Sequence, residues 1–342
     1  MKYARSVIAW ILISLAMQFA GLFYINNYFL KTETNFKAKK IEKPAEKPKE
    51  IEVSIPQGAT MIQVSYDAKY ISYYMDGAIN VVNTKNGQAK TVKFDDKVKV
   101  SVYRWLQDTD RMFIAEKKAV KGDSGIDLTY YDASKDIKDE NKFLALPDTK
   151  TEATDIQANT VTNVTYVKVN KGTSRNSIYR IDVMKSLDKV STEANAIGDI
   201  KLFHLDDKFA YEDKLHGCVY VSDIKLPIQI SGSQSLSLLG IDEDDIIYLG
   251  ENSSDGKITK VYYGSLEKST NEWQTINLNS AADKKDIYVS TDGNVYLNNN
   301  LKGIVQNLKS GKLTGYTGVM LQMCDSWMVS TENNKIIKTQ YK

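Results

Sequence analysis

The sequence predicts an all-β body, a β-propeller, set behind one apolar N-terminal helix. Three observations predict it. Residues 6–30, SVIAWILISLAMQFAGLFYINNYFL, carry no charge. Beyond residue 50 the chain is a succession of short runs rich in Val, Ile, Tyr and Thr, parted by Asp-Gly, Asn-Gly, Gly-Lys and Asp-Asp turns. These runs recur at a step of roughly 40 to 50 residues, the length of a four-stranded propeller blade.

The first five residues read as a short cytoplasmic tail. The uncharged run that follows has the roughly 20 apolar residues a helix needs to cross a hydrocarbon layer. Trp10 near one end and Tyr24 and Tyr28 near the other suit the membrane interfaces. The run is longer than the core of a signal peptide and lacks a small-x-small cleavage site, so an uncleaved signal-anchor is expected. Lysines on the C-terminal side favour a cytoplasmic body by the positive-inside rule, but Glu33, Glu42, Glu46 and Glu50 interleave with them. The short leading tail favours an extracytoplasmic body, which is the expected orientation at the cell membrane. Residues 31–50, KTETNFKAKKIEKPAEKPKE, hold too little apolar surface to fold alone, and Pro44 and Pro48 disfavour a helix. They read as a flexible spacer.

The body then spans residues 51–342. Tyr70 to Gly87 contains a hairpin turned at Asp76-Gly77 and a second turn at Asn86-Gly87, leading into a strand from Ala89 to Phe94. Tyr70, Met112, Thr165, Phe209, Ile247, Tyr288 and Met328 are taken as equivalent second-strand positions. Steps between them run from 38 residues (Phe209 to Ile247) to 53 (Met112 to Thr165). Seven markers predict seven blades; six would result if the unit around Phe209 merged with a neighbour. A tandem β-sandwich or a solenoid is the alternative architecture. The last unit has three strands, and the alternating Ile51-Glu-Val-Ser-Ile55 is placed to supply a fourth and close the ring, removing exposed sheet edges.

The units Tyr70-Ile-Ser-Tyr-Tyr-Met-Asp-Gly and Trp105-Leu-Gln-Asp-Thr-Asp-Arg-Met-Phe-Ile resemble blades of TolB-like propellers and of the N-terminal propeller of dipeptidyl peptidase IV. The resemblance implies a WD40-like or TolB-like ring, and it lies in pattern over most of 51–342 but in letters only over these two units. The second unit lacks the Pro and Gly of the Trp-x-Pro-Asp-Gly form. The peptidase carries a hydrolase domain after its propeller, for which this sequence has no counterpart. Fold of this kind leaves function open.

Charge excludes some classes. Lys+Arg number 45 against 43 Asp+Glu, a net charge of +2, so no global field favours nucleic acid. Only five of the basic residues are arginine (Arg5, Arg104, Arg111, Arg175, Arg180), the side chain best suited to bidentate phosphate and base recognition. No nucleic-acid partner is expected. The abundance of Lys, Asn, Ile and Tyr resembles the usage of an AT-rich bacterial genome.

Motifs for chemistry are sparse. No G-x-S-x-G elbow occurs, and Gly122-Asp-Ser-Gly125 reads as a turn. His204 and His216 are too few and too far apart for a metal site and read as local structural or surface residues. Asp242-Glu-Asp-Asp245 lacks the spaced oxygen pattern of a calcium loop and reads as a solvated turn. Ser290 and Asp292-Gly293 resemble a sialidase Asp-box without its aromatic close. Cys218 and Cys324 have no metal or redox spacing and read as isolated buried thiols, though a disulfide between them stays open. Of 21 tyrosines, three pairs (Tyr73-Tyr74, Tyr130-Tyr131, Tyr262-Tyr263) should place one ring between blades and the other toward solvent or the opposite sheet face.

No catalytic, metal or cofactor residue is therefore assigned, and no cofactor is expected. The expected function is a membrane-anchored, non-catalytic module that binds or scaffolds an envelope protein or cell-wall component. The alternative is a carbohydrate-active or other enzyme whose carboxylates gather from several blades at the channel mouth. Convergent carboxylates beside a cation would favour that alternative. A sensor passing a signal inward would need a partner to do so.

Overall fold

The computed structural model describes residues 2–29, 53–120, 123–145, 150–172 and 175–342. The expected spacer, 31–50, lies outside the described residues. The chain divides into two units, residues 1–49 and 50–342. In the first, α1 (Lys2–Tyr24) continues as a single wider π turn over Ile25–Phe29. Ser6–Tyr28 is long and apolar enough to cross a membrane, and Trp10, Leu12, Met17 and Phe23 are exposed along it. Tyr24 and Tyr28 stack with ring centres 5.2 Å apart. A helix of this kind serves as an anchor or as a signal sequence.

The second unit is a ring of seven antiparallel sheets in chain order. Blade 1 holds β1 (Thr60–Val64), β2 (Tyr70–Met75), β3 (Ala78–Asn83) and β4 (Ala89–Val92). Blade 2 holds β5 (Lys99–Trp105), β6 (Arg111–Val120), β7 (Asp123–Asp132) and β8 (Ile137–Ala145). Blade 3 holds β9 (Glu152–Asn159), β10 (Val164–Asn170), β11 (Asn176–Ile181) and β12 (Leu187–Val190). Blade 4 holds β13 (Ile197–Leu202), β14 (Phe209–Asp213) and β15 (Cys218–Val221). Blade 5 holds β16 (Leu236–Ile241), β17 (Ile247–Asn252), β18 (Ile258–Gly264) and β19 (Gln274–Ala282). Blade 6 holds β20 (Ile287–Val289), β21 (Val295–Asn299), β22 (Ile304–Asn307) and β23 (Leu313–Gly315). Blade 7 holds β24 (Val319–Met323), β25 (Trp327–Glu332) and β26 (Lys335–Gln340).

Local chemistry explains the hairpins. Asp76 and Gly77, between β2 and β3, both take positive φ (52° and 77°), the twist that matches two right-handed strands. Closure follows the sequence reading. The Ile55 N–H donates to Asn334 O at 2.9 Å, and the Ile336 N–H donates to Val53 O at 2.8 Å, so the N-terminal segment adds an edge to blade 7. Residues 51 and 52 of the expected strand lie outside the described residues. Val53 and Ile55 are buried.

The core sits between blades. Seven hydrophobic clusters fill the seven interfaces, the last joining Ile55, Val64 and Ile71 of the chain's start to Cys324 and Val329 of its end. A ring satisfies that pattern; a solenoid or a sandwich tandem does not. Aromatic contacts reinforce it: Trp105 stacks on Tyr70 at 5.8 Å, and Tyr166 meets Phe209 at 4.7 Å. Each full burial of such a side chain stabilises by about 1.5–3 kcal/mol.

The expected count of seven blades holds, the six-bladed alternative falls, and one second-strand assignment is corrected. Blade 4 does not merge with a neighbour: its three strands form their own sheet, and the segment after β15 covers the core through Ile230 without forming a fourth strand among the described residues. Tyr288 lies on the innermost strand β20, and the second strand of that blade is β21. Ile-Tyr-Val at 287–289 and Val-Tyr-Leu at 295–297 have the same pattern, so letters alone could not order them. Of the two places expected for the second ring of each tyrosine pair, the structure gives the opposite sheet face and not solvent. Tyr73 packs toward blade 7 and Tyr74 toward blade 2, and Tyr130 and Tyr131, like Tyr262 and Tyr263, divide the same way between flanking blades. Each blade has cores on both faces, so strand alternation sends both rings inward.

Candidate functional site: the central channel

Innermost strands β5, β9, β13, β16 and β20 line a cavity of about 340 Å³ along the ring axis. It opens beside the turns that join first to second strands, where Asp108, Thr160, His204 and Glu243 lie. The shape of its wall comes from β-bulges. Inner strands of blades 1, 2, 4, 5 and 7 each carry an extra residue against the second strand, and β9 carries one against β10. A bulge bends the strand and re-aims the side chains beyond it.

The bulge in β13 does this most clearly. Gly198 and Asp199 together face Glu212, whose carboxylate accepts from the Asp199 N–H at 3.0 Å and, across the blade interface, from the Leu238 N–H at 2.7 Å. A Cβ on Gly198 would lie 2.9 Å from Glu212 Cβ and 2.3 Å from its Oε2, so the close approach needs glycine there. Lys284, before β20, binds both Glu212 and Asp199, the latter at 2.6 Å. Burial pushes the Asp199 carboxyl upward, but Lys284 outweighs it and holds the group below its usual value.

Two further blades add charge. Arg104 on β5 pairs with Asp155 on β9 at 2.7 Å. Lys168 on β10 is buried and donates to Gly198 O at 2.6 Å, and burial pulls its ammonium below the usual value. Lys201 on β13 lines the cavity, and no hydrogen bond or ion pair engages its Nζ among the described residues. Burial first, and then the Arg104 guanidinium, pull Lys201 below its ordinary value.

Three carboxylates thus converge, Asp155, Asp199 and Glu212, each engaged by a cation or by backbone N–H groups. Sequence reasoning passed over all of them, because no two are close neighbours in the chain.

The motifs singled out from sequence are placed as follows. His204 lines the cavity mouth and its backbone N–H donates to Asp245, so blade 5 clasps blade 4 there. His216 is exposed at the opposite end of β14, with Nδ1 2.6 Å from Asp213 Oδ2. The two histidines are not brought together. Asp242 is buried, against the solvated turn expected: it accepts from the N–H groups of Asp244 (3.1 Å) and Ile246 (2.9 Å) and from the Tyr248 hydroxyl (2.8 Å). Tyr248 also reaches Gly293 O at 2.9 Å, tying the acidic turn to the Asp292-Gly293 turn of blade 6. Asp123 to Gly125 belong to strand β7 rather than a turn, paired with Lys118 to Val120, while Gly122 lies outside the described residues. Cys218 is half-buried, Cys324 is buried, and both are free thiols. No group of three or more His, Cys, Asp or Glu suited to a metal ion occurs among the described residues.

No family model matches the chain, and no curated protein matches it in sequence. Solved structures do. A chain of the mitotic checkpoint complex is similar with a TM-score of 0.52 at 8% identity, covering 84% of this chain and 91% of that one. The WD40 domain of SCAP from fission yeast is similar with a TM-score of 0.49 at 10% identity, covering 84% and 85%. Hsv2p of Kluyveromyces lactis gives 0.49 at 10% identity, covering 79% and 88%. The likeness is one of fold alone.

Proposed function

We propose that the protein is a membrane-tethered propeller that binds another protein and acts as a scaffold at a bacterial cell envelope, its body on the extracytoplasmic side. One observation carries the reading. Val161, Val183, Met184 and Leu205 are 53%, 69%, 83% and 60% exposed on turns of blades 3 and 4, on the face into which the cavity opens. These turns are held together: the Asn159 amide donates to Phe203 O (2.7 Å) and His204 O (2.9 Å), and the Arg180 guanidinium binds Asp182 and Asp207. Apolar side chains held out on a rigid, polar-rimmed surface are the usual anchors of a protein interface. The structural neighbour from the mitotic checkpoint complex sits, by its name, within a multi-protein assembly, which accords with this use of the fold. The apolar segment Ser6–Tyr28 supplies the tether.

The test is recovery of a cross-linked partner from solubilised membranes by the full chain and by the double variant Met184→Asp, Leu205→Asp. Loss of one defined partner from a variant with unchanged melting temperature supports the reading. Equal recovery by both chains, or none by either, overturns it. Protease protection of the body in intact cells would overturn the orientation.

A second reading, a propeller enzyme with carboxylates at the channel mouth, draws on the convergence of Asp155, Asp199 and Glu212 from blades 3 and 4, although none of the three lines the cavity. Pairing of those groups with Arg104, Lys284 and backbone donors weighs against it, since a general acid or base needs a carboxyl free to reach substrate.

A further inference from the structure

We propose that the channel cavity binds the carboxylate of a small monoanionic group, with Lys201 as its counter-charge. This is separate from the apolar face assigned to protein binding. The starting point is an ammonium without a partner. Lys201 projects from β13 into the cavity, and every carboxylate around it is committed elsewhere: Asp155 to Arg104 at 2.7 Å, Asp199 to Lys284 at 2.6 Å, and Glu212 to Lys284 and two backbone N–H groups. Arg104 and Lys201 are the two cations in the lining, and of these Lys201 is the one with no carboxylate partner; Asp242, also in the lining, is taken up by backbone N–H groups and the Tyr248 hydroxyl. An unpaired charge enclosed by protein is strongly unfavourable unless it is neutralised or paired.

The surroundings fit an incoming carboxylate. About 340 Å³ lies at the lower end of the range for small-ligand cavities. Strands β5, β9 and β13 each pair with a neighbour on one side only, so their free edges present backbone N–H and C=O groups toward the axis. One unpaired ammonium, with three carboxylates along the same lining, matches a monoanion better than a phosphate dianion. Asp108 and Glu243 at the mouth, exposed and screened by solvent, discriminate further against ligands with extra negative charge. Burial and then Arg104 lower Lys201, and an anion at its Nζ would oppose that shift and favour the ammonium.

A carboxylate could come from a free acid or from a Glu or Asp side chain of an inserted polypeptide. Both are distinguished by observing the side-chain NMR signals of lysine-labelled full-length protein in detergent. The probes are lactate, inorganic phosphate, and the capped peptide N-acetyl-Ala-Glu-Ala-amide, whose one carboxylate is its side chain. A saturable shift of the Lys201 signal with lactate assigns the site to free acids; a shift with the peptide alone assigns it to a polypeptide. Both outcomes support the proposal, with phosphate roughly tenfold weaker, about 1.4 kcal/mol. The variant Lys201→Met should abolish binding while raising the melting temperature, since it removes an unpaired charge, and Lys201→Arg should retain binding. An unmoved Lys201 signal at millimolar lactate and peptide, preferred binding of phosphate, or equal binding by Lys201→Met overturns the proposal.

Discussion

Ring closure can be tested at one residue. Ile55 does two things: its N–H donates to Asn334 O at 2.9 Å, and its buried side chain packs with Ile71, Cys324 and Val329 at the junction of blades 1 and 7. Truncating a buried isoleucine to alanine costs about 2–5 kcal/mol, the upper end where the cavity cannot collapse. A segment at the sheet edge can relax, so about 3 kcal/mol is expected for Ile55→Ala. At roughly 2 °C per kcal/mol for a body of this size, the melting temperature should fall by about 6 °C. Ile55→Pro also removes the donor and should cost about 1–3 kcal/mol more, because Asn334 O then loses its partner. Ser54 is exposed between two buried neighbours, so Ser54→Ala should stay within about 0.5 kcal/mol of the parent. Near-UV circular dichroism of the full chain in detergent, followed through thermal unfolding, reports the packing of the body and is blind to the apolar helix. If Ile55→Ala were no worse than Ser54→Ala, or Ile55→Pro no worse than Ile55→Ala, the segment would be a passive strap and the closure argument would fail.

Three further outcomes follow from the same structure. Gly198→Ala should lower the denaturant midpoint by the equivalent of about 1–3 kcal/mol, because the new methyl displaces the Glu212 carboxylate; an unchanged midpoint would show that the bulge can yield. Asp132, Asp199, Asp213, Asp292 and Asp325 are all held below their usual range, several against the upward push of burial, by neighbours such as Arg111, Lys284, His216 and Lys342. Their folded values are depressed, so the stability they confer is complete above the ordinary Asp value of about 3.9 and is lost as pH falls through the lower folded values. Urea midpoints should therefore be level at mildly acidic pH and drop steeply below about pH 4; a fall already complete near pH 6 would assign acid sensitivity to other groups. Burial pushes the Cys324 thiol up to about 12, while burial and then Asp213 raise Cys218 above its ordinary value. A thiol reagent at neutral pH should label Cys218 slowly and Cys324 only on unfolding, and rapid labelling of Cys324 in the native state would contradict its burial.

Much of the ring was legible because it rests on local rules. The Asp76-Gly77 turn requires positive φ, the Ile, Val and Tyr runs require burial, and the alternation of Val53, Ser54 and Ile55 requires one covered face. Each of these is written in neighbouring letters. What failed were the features set by partners far away. Tyr73 and Tyr74 could be assigned to opposite faces, but only the ring shows that both faces are interior. Asp242 looked like part of a hydrophilic turn, since the Tyr248 hydroxyl that satisfies it comes from the next strand and the glycine carbonyl that shares it from the next blade.

The channel was the least legible part, and the bulges explain why. In a regular strand the side-chain phase of a residue follows from its neighbours, so a charge between apolar residues reads as solvent-facing. One extra residue reverses the phase of everything beyond it. Thus the bulge at Gly198-Asp199 precedes Lys201, and the one at Ser101 precedes Arg104; each cation follows a break that no periodicity analysis registers. The carboxylate partner of Arg104, Asp155, comes from the next inner strand, tens of residues away, and Lys201 has none among the described residues. Such a site is assembled by ring geometry and by register errors retained in every inner strand but β20, so its charges are disguised in sequence as ordinary surface. The same reasoning gives a criterion for where to look in a propeller without motifs: charged residues just after a bulge on a first strand are the ones whose sequence environment misstates their position.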